Sequence, residues 1–148
     1  TKGTGVINRI FHGYGKFEGE MDGRKNGALI SMSTGKAVAF AIFNLQARGE
    51  MFVTHNDPVY EGMIVGLAPK PGDMIINVMK GKQLTNMRTQ GTDENVVLTP
   101  VRQMSIAEQL SMLNTDEALE ITPKSLRLRK AILNPNDRKK NEKSATPL

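Results

Sequence analysis

Residues 74–100 read Met-Ile-Ile-Asn-Val-Met-Lys-Gly-Lys-Gln-Leu-Thr-Asn-Met-Arg-Thr-Gln-Gly-Thr-Asp-Glu-Asn-Val-Val-Leu-Thr-Pro, and this stretch divides the chain. Its first part, Met74 to Val78, is apolar and β-branched, which predicts a strand. The part that follows is mostly polar and regains apolar character only at Val96. Because connections longer than about 12–15 residues without structure of their own are usually functional or disordered, we interpret residues 80–100 as a long projecting loop.

The polar side chains of this loop suit RNA. Lys80, Lys82 and Arg88 are basic with no acid among them, and Asn86 adds an amide. Such groups bind phosphates, sugars and base edges alike. A solvated loop without a binding role is the alternative that composition leaves open.

Short β-branched and apolar runs before the loop predict strands joined by turns. They are residues 5–12, 28–32, 37–43, 51–54 and 59–66. We expect the run at 37–43 to pass into a short helical turn at residues 44–48, which Gly49 ends as a suitable C′ residue.

After the loop, residues 96–98 are predicted to return to the sheet. Ser105 and Glu108 have the spacing of a capping box. The helix that follows should bury one apolar face made of Ile106, Leu110 and Leu113.

The C-terminal part predicts a hairpin and a tail. Apolar residues alternate at 119–121 and 126–128 about the turn 122–125, which places Arg127 and Arg129 on the polar face. A helix starting near Pro123 is the competing interpretation. Residues 134–148 are almost free of apolar side chains and are predicted to form a mobile basic tail. The chain as a whole is predicted to be a β-rich α+β fold, with short strands in a mixed, barrel-like sheet and one or two short helices.

Composition excludes several functional classes. The 148 residues contain no Cys and two distant His, so disulfides and thiolate or zinc sites are not expected. No apolar run reaches the ~18 residues of a membrane span. The net charge is +5, and residues 123–143 hold eight bases against two acids, which favours a polyanionic partner.

Catalytic motifs are also missing from the sequence. Gly35-Lys36 lacks the Ser or Thr and the upstream Gly of a phosphate-binding P-loop. Asp116 and Glu117 are adjacent acids without a neighbouring base, so we do not expect a catalytic carboxylate pair there. We therefore predict that this chain is not an enzyme by itself.

Two further groups of residues have structural and functional interpretations. The turn at residues 23–27 presents Arg24 and Lys25 between two glycines, so it either approaches a phosphate or is a structural turn. Core packing is preferred over base stacking for Phe11, Phe40, Phe43 and Phe52, and Met63 and Met79 are expected to fill gaps in the core.

Five segments resemble the C-terminal domain of the BipA/TypA translational GTPases. They are Gly-Arg-Lys-Asn-Gly-Ala-Leu-Ile-Ser (23–31), Asn-Leu-Gln-Ala-Arg-Gly (44–49), Val-Tyr-Glu-Gly-Met-Ile-Val-Gly (59–66), Lys-Gly-Lys-Gln-Leu-Thr-Asn-Met-Arg (80–88) and Ile-Thr-Pro-Lys-Ser-Leu-Arg-Leu-Arg-Lys (121–130). They occur in the order and spacing of that family and cover nearly the whole chain.

The resemblance implies a cytoplasmic ribosome-binding module that acts in ribosome assembly and translation under stress. It implies that residues 1–13 are the last strand of a preceding ferredoxin-like domain, like domain five of elongation factor G, and that residues 14–133 are the C-terminal domain. The partners implied are large-subunit ribosomal RNA, the acceptor end of A-site tRNA and the protein's own N-terminal GTPase domains, but no membrane. GTP and Mg²⁺ would bind in those missing domains, so no cofactor is expected in this chain. The predicted RNA contacts are Lys80, Lys82, Asn86, Arg88, Arg24, Lys25, Arg127, Arg129 and Lys130.

Two other functions stay open at this point. The chain could be an interdomain or protein-interaction scaffold without RNA contact, or a free-standing binder of single-stranded nucleic acid. Steep salt dependence of binding would favour RNA over the scaffold.

Overall fold

The computed structural model describes residues 8, 10–17, 24–82 and 97–145. Its elements in chain order are β1 Ala28–Ser31, β2 Gly35–Lys36, α1 Ala39–Gln46, β3 Glu50–Met51, β4 Pro58–Val59, β5 Ile64–Leu67, β6 Met74–Ile76, α2 Ile106–Ser111, β7 Glu117–Ile121, β8 Leu126–Lys130 and α3 Pro135–Ala145. The predicted β-rich α+β class with short strands is confirmed.

The central feature is a four-stranded mixed sheet in the order β3-β5-β1-β6. β1 pairs antiparallel with β5 and parallel with β6. A register shift between Leu29 and Ile30 interrupts the β1–β5 ladder. β1 has a partner on each side, and every residue of this strand is buried.

Both faces of the sheet are covered. Side chains alternate between the two faces of a strand, so β1 and β5 each contribute to two core clusters. Leu29 of β1 and Val65 of β5 belong to a core cluster with Ile42 of α1. Ala28, Ile30 and Ile64 belong to a second cluster with Leu128 of the β7–β8 hairpin. The sheet therefore lies between α1 on one side and the hairpin with α2 on the other.

α1 corrects the predicted strand at residues 37–43. An unbroken apolar run has no helical or strand period, so a buried helix and a buried strand look alike in sequence. Ala41 and Ile42 are buried in the structure, while Phe43 is exposed rather than packed in the core. The predicted C′ role of Gly49 is wrong, because Ala47 is the C-cap of α1 and Gly49 lies one position beyond C′. Gly49 has a packing role instead, since a Cβ there would lie 2.1 Å from the Leu67 carbonyl oxygen.

The predicted hairpin is confirmed as β7–β8, and the alternative helix near Pro123 is wrong. Its turn is closed by Thr122 Oγ1, which accepts a hydrogen bond from the Ser125 N–H at 3.0 Å. The hairpin is attached to the sheet where the Lys130 N–H donates to the Gly62 carbonyl at 2.9 Å. Gly62 has a φ of +84°, and a Cβ there would lie 2.7 Å from the Leu133 Cα.

The capping box of α2 is confirmed, but its predicted apolar face is not. The Ser105 N–H donates to Glu108 Oε2 at 2.8 Å, and the Glu108 N–H donates back to Ser105 Oγ at 3.3 Å. Ile106 and Leu110 are exposed, whereas Gln109 is buried. Met104 and Leu113, at the two ends of the segment, pack on the core and so set the rotation of this short helix.

Segments at the borders of the described regions also differ from prediction. Residues 97 and 98 are not in a strand, although Leu98 packs against the core. Residues 8 and 10–12 are not in a strand either, and Phe11 is 77% exposed, because a strand needs a hydrogen-bonded neighbour that the described residues do not provide. Residues 5–7 and 9 lie outside the described residues.

The predicted tail contains the helix α3. Its sequence supplies good helix formers and Pro135 at its first position, which explains a helix without an apolar face. The mobility of residues 134–148 and the domain boundaries at residues 13 and 133 stay predictions. Within the described ranges, the helices are too short or too polar to cross a membrane.

Candidate nucleic-acid interface

The described residues at the start of the predicted loop are exposed, and they follow a buried residue that is held by a backbone hydrogen bond. Val78 is buried, and its carbonyl accepts a 2.9 Å hydrogen bond from the N–H of Val38, the residue before α1. Lys80 and Lys82 follow and are exposed. The other two predicted loop contacts, Asn86 and Arg88, lie outside the described residues.

The chain is also held at Thr99, near the start of the next described range. Gln46, the last residue of α1, donates through Nε2 to the Thr99 carbonyl at 2.9 Å and accepts from the Thr99 N–H at 3.2 Å. The amide side chain thus pairs with Thr99 as a strand backbone would. Val78 and Thr99 are held at opposite ends of α1, a helix about 12 Å long. Gln46 is not among the residues that the sequence predicts for the site, although it lies in the 44–49 segment that carries part of the resemblance.

Arg24 is directed into the protein. Its guanidinium makes a bidentate pair with Glu117, with Nη2 to Oε1 at 2.7 Å and Nη1 to Oε2 at 3.1 Å. The Arg24 side chain is 7% exposed and that of Glu117 is fully buried. Of the two interpretations of the turn at residues 23–27, the geometry at Arg24 fits the structural one, while Lys25 is exposed.

Lys130 is likewise inside the domain. Its ammonium lies 2.7 Å from Asp116 Oδ2 and 3.0 Å from Glu117 Oε1, and it also pairs with Asp73. Burial lowers the pKa of Lys130, but the hydrogen bonds to the three carboxylates outweigh it, so this pKa is raised. We call Arg24, Asp73, Asp116, Glu117 and Lys130 the buried ion cluster, after its buried side chains Arg24, Glu117 and Lys130; those of Asp73 and Asp116 lie at its edge and are 36% and 59% exposed.

The buried ion cluster joins the hairpin to the sheet. Asp73 precedes β6 and also accepts a 2.7 Å hydrogen bond from the Ala28 N–H at the start of β1. Burial raises the pKa of Asp73, but the hydrogen bonds from Lys130 and Ala28 hold it below its ordinary value. Asp116 and Glu117, the adjacent acids noted in the sequence, therefore bind cations of the protein itself.

Arg127 and Arg129 lie together on the outer face of β8, as predicted. Arg127 Nη1 is 3.4 Å from Glu120 Oε1, and both side chains are partly exposed. The Tyr60 hydroxyl donates to Glu120 Oε2 at 2.6 Å. Burial and this carboxylate raise the pKa of Tyr60 to about 12. Arg129 donates to the carbonyls of Lys130 and Ala131 at 3.3 and 3.4 Å.

The described residues of the interface offer charge and hydrogen bonding. In the described part of the chain, His, Asp and Glu side chains form no group of three or more that could hold a metal ion. Exposed bases lie at the start of the predicted loop, and partly exposed bases lie on the outer face of the hairpin. Such side chains can neutralise phosphates.

Residues 26–135, about three quarters of the chain, match the sequence model of the TypA/BipA C-terminal domain. The chain belongs to the TypA/BipA family. It is 50% identical over its whole length to a protein of Buchnera aphidicola subsp. Schizaphis graminum named large ribosomal subunit assembly factor BipA. Proteins of the same name from Salmonella typhimurium and Escherichia coli K12 are 47% identical over 95% of the chain.

The chain spans about a quarter of the length of these BipA relatives, 24% for the Buchnera protein and 23% for the other two. The family assignment agrees with the resemblance carried by the five sequence segments.

Proposed function

We propose that this chain is the ribosome-binding C-terminal module of a translational GTPase, and that it contacts large-subunit ribosomal RNA and the acceptor end of A-site tRNA through the loop at residues 80–100. The longer protein would act in the cytoplasm, in ribosome assembly and in translation under stress. The names of the relatives, large ribosomal subunit assembly factors, support a ribosomal partner. GTP and Mg²⁺ would bind in domains outside this chain.

The proposal rests on the described residues at the two ends of the predicted loop, which are held to the body of the domain. Lys80 and Lys82 are exposed directly after the buried Val78. At the other end Gln46 holds Thr99 by two hydrogen bonds. Anchored ends lower the conformational entropy that such a loop loses when it binds RNA.

We assign fewer bases to RNA than the sequence alone suggests. Arg24 and Lys130 are occupied in the buried ion cluster, and we now assign them a structural role. Lys80, Lys82, Asn86 and Arg88 remain the primary contacts. Lys25, Arg127 and Arg129 are secondary contacts, because their side chains are at least partly exposed.

Co-sedimentation with purified large ribosomal subunits tests this function. The triple variant Lys80→Ala, Lys82→Ala, Arg88→Ala should bind more weakly than the parent chain, because it loses three phosphate-neutralising groups. The charge-matched control replaces the exposed bases Lys36, Arg48 and Lys70 with Ala and should bind like the parent. Equal affinity of the loop variant and the control would contradict the proposal.

An interdomain scaffold is the second candidate, and exposed apolar residues favour it. Phe11 is 77% exposed, and Tyr14 is fully exposed and stacks edge-on against Phe11 at 5.6 Å between ring centres. Such rings are expected to pack against other protein surface. If this is the chain's sole role, the double variant Phe11→Ser, Tyr14→Ser in the longer protein lowers its melting temperature, while the loop variant binds ribosomes normally.

A further inference from the structure

A cleft of about 810 Å³ lies between the sheet, the segment 101–109 and the tip of the β7–β8 hairpin. Its volume is within the range of small-molecule and cofactor sites. Phe52 lines it from the sheet side, Ile106 from α2 and Ile121 from β7. Ile106 is 48% exposed and Ile121 is 65% exposed, so the cleft has apolar surface open to an occupant.

Gln109, which lines this cleft, has an unsatisfied polar atom. Its side chain is on the buried side of α2, and Oε1 is covered yet has no hydrogen-bond partner among the described residues. Its Nε2 donates to the Met104 carbonyl at 3.4 Å, which is longer than an ordinary N–H···O bond. An acceptor buried in this way favours any occupant that brings a donor. A small rotation of the weakly held amide would present Oε1 to it.

The charge of the cleft lining favours an anionic occupant. Arg102, Lys124 and Arg127 contribute three positive charges and Asp57 one negative charge. Arg102 also pairs with Glu108 at 3.2 Å, while Lys124 is exposed in the hairpin turn. Lys124 is thus placed at the rim, where a phosphate would remain partly in water.

We propose that this cleft binds one unpaired nucleotide of RNA, with a preference for adenine. The amide of Gln109 would bond the adenine amine and an adjacent ring nitrogen, the pattern by which Gln reads adenine. Phe52 and the flanking apolar side chains would contact the base, as aromatic residues do for splayed-out RNA bases. Lys124 would bind the phosphate. This inference deepens the proposed function, because it adds a base-reading site to the phosphate contacts of the loop.

An apolar peptide would also fit the walls of the cleft, but the polar and basic groups of its lining favour RNA. Arg102 and Arg127 already pair with Glu108 and Glu120, so Lys124 is the base of the lining that an anionic occupant would meet, and the buried orphan acceptor matches a base amine. A peptide without acidic residues would leave Lys124 without an anionic partner. Peptide binding is therefore an outcome that counts against the proposal.

Fluorescence anisotropy with labelled eight-nucleotide RNAs tests the proposal on the whole chain. Oligoadenylate should bind about tenfold more tightly than oligouridylate, because uracil carries a carbonyl where adenine carries its amine. Gln109→Leu should abolish this preference. Its melting temperature should not fall, since the substitution removes an unsatisfied buried oxygen and keeps the side-chain volume close.

Two further variants keep the result interpretable if Gln109→Leu fails to fold. Lys124→Ala should weaken both RNAs equally and reduce the salt slope by about one unit. Lys139→Ala, on α3 and away from the cleft lining, should change neither. Equal affinity of the parent chain for the two RNAs, or an unchanged adenine preference in Gln109→Leu, would overturn the adenine site. Neither result would bear on the loop, which the co-sedimentation of the loop variant tests separately.

Discussion

The side chain of Lys130 is 2% exposed, and its ammonium lies among three carboxylates from two parts of the chain, Asp73 and the adjacent Asp116 and Glu117. Removing one partner of a buried ion pair leaves the other charge without compensation, which costs more than the intact pair contributes. Glu117 is buried and accepts from Arg24, from Lys130 and from the Asn114 N–H at 3.2 Å. Substitutions in the buried ion cluster should therefore affect stability rather than RNA binding.

Glu117→Gln is expected to lower the free energy of unfolding by about 3–5 kcal/mol. The substitution keeps the size of the side chain but points an amide donor at groups that are already donors. Urea unfolding followed by circular dichroism measures this change in the free energy of unfolding. Asp137→Asn is the matched control, since the Asp137–Lys140 pair lies on the surface and should contribute less than about 1 kcal/mol. A similar small effect for both variants would show that the cluster does not hold the hairpin.

Asp73 is expected to make the stability of the folded protein depend on pH in the acid range. Its folded pKa is lowered below 3.8, so the folded protein takes up this proton less readily than the unfolded chain. The stabilisation is therefore present above the unfolded pKa and is lost as pH falls through the folded value. Melting temperatures measured between pH 6 and pH 2 should fall more steeply for the parent chain than for Asp73→Asn. Parallel curves would contradict the role given to this carboxylate.

Elements with a clear period or a turn signature could be predicted from sequence, and buried or polar elements without one could not. The hairpin alternates strictly about Thr122–Ser125, and β1, β5 and β6 are apolar runs bounded by turns. α1 was missed because nearly every residue from Ala37 to Phe43 is apolar. α2 was found from its cap, but its rotation depends on Met104 and Leu113, which the sequence does not distinguish from Ile106 and Leu110.

α3 leads to the prediction for the tail. The helix has no apolar face, and Arg138 joins it to the body through hydrogen bonds to the carbonyls of Ile132 and Leu133 at 2.9 and 2.6 Å. Deleting residues 135–148 removes little buried apolar surface, so the melting temperature should change by a few degrees at most. Scanning calorimetry of the truncated chain measures it. A fall of ten degrees or more would mean that α3 is part of the folded core.

At the scale of the whole molecule, the fold separates structural charge from exposed charge. The sequence shows which bases are present but not which are buried, because the partners of Arg24 and Lys130 are distant along the chain and meet only in the folded domain. For the same reason, the Gln46–Thr99 pair could not be predicted. The polar composition of residues 80–100 could be read directly, and so could their place after β6, while the loop that they are predicted to form stays a prediction.

The salt dependence of binding to large ribosomal subunits tests the central claim most directly. Affinities measured by sedimentation between 50 and 200 mM salt should fall steeply for the parent chain, because each phosphate contact releases counterions. The Lys80, Lys82, Arg88 alanine variant should bind more weakly, with a log–log slope reduced by about one unit for each lost contact. Asn86→Ala should weaken binding with little change in slope, since an amide neutralises no phosphate. An unchanged affinity and an unchanged slope in the triple variant would contradict the account, and the scaffold function would then replace it.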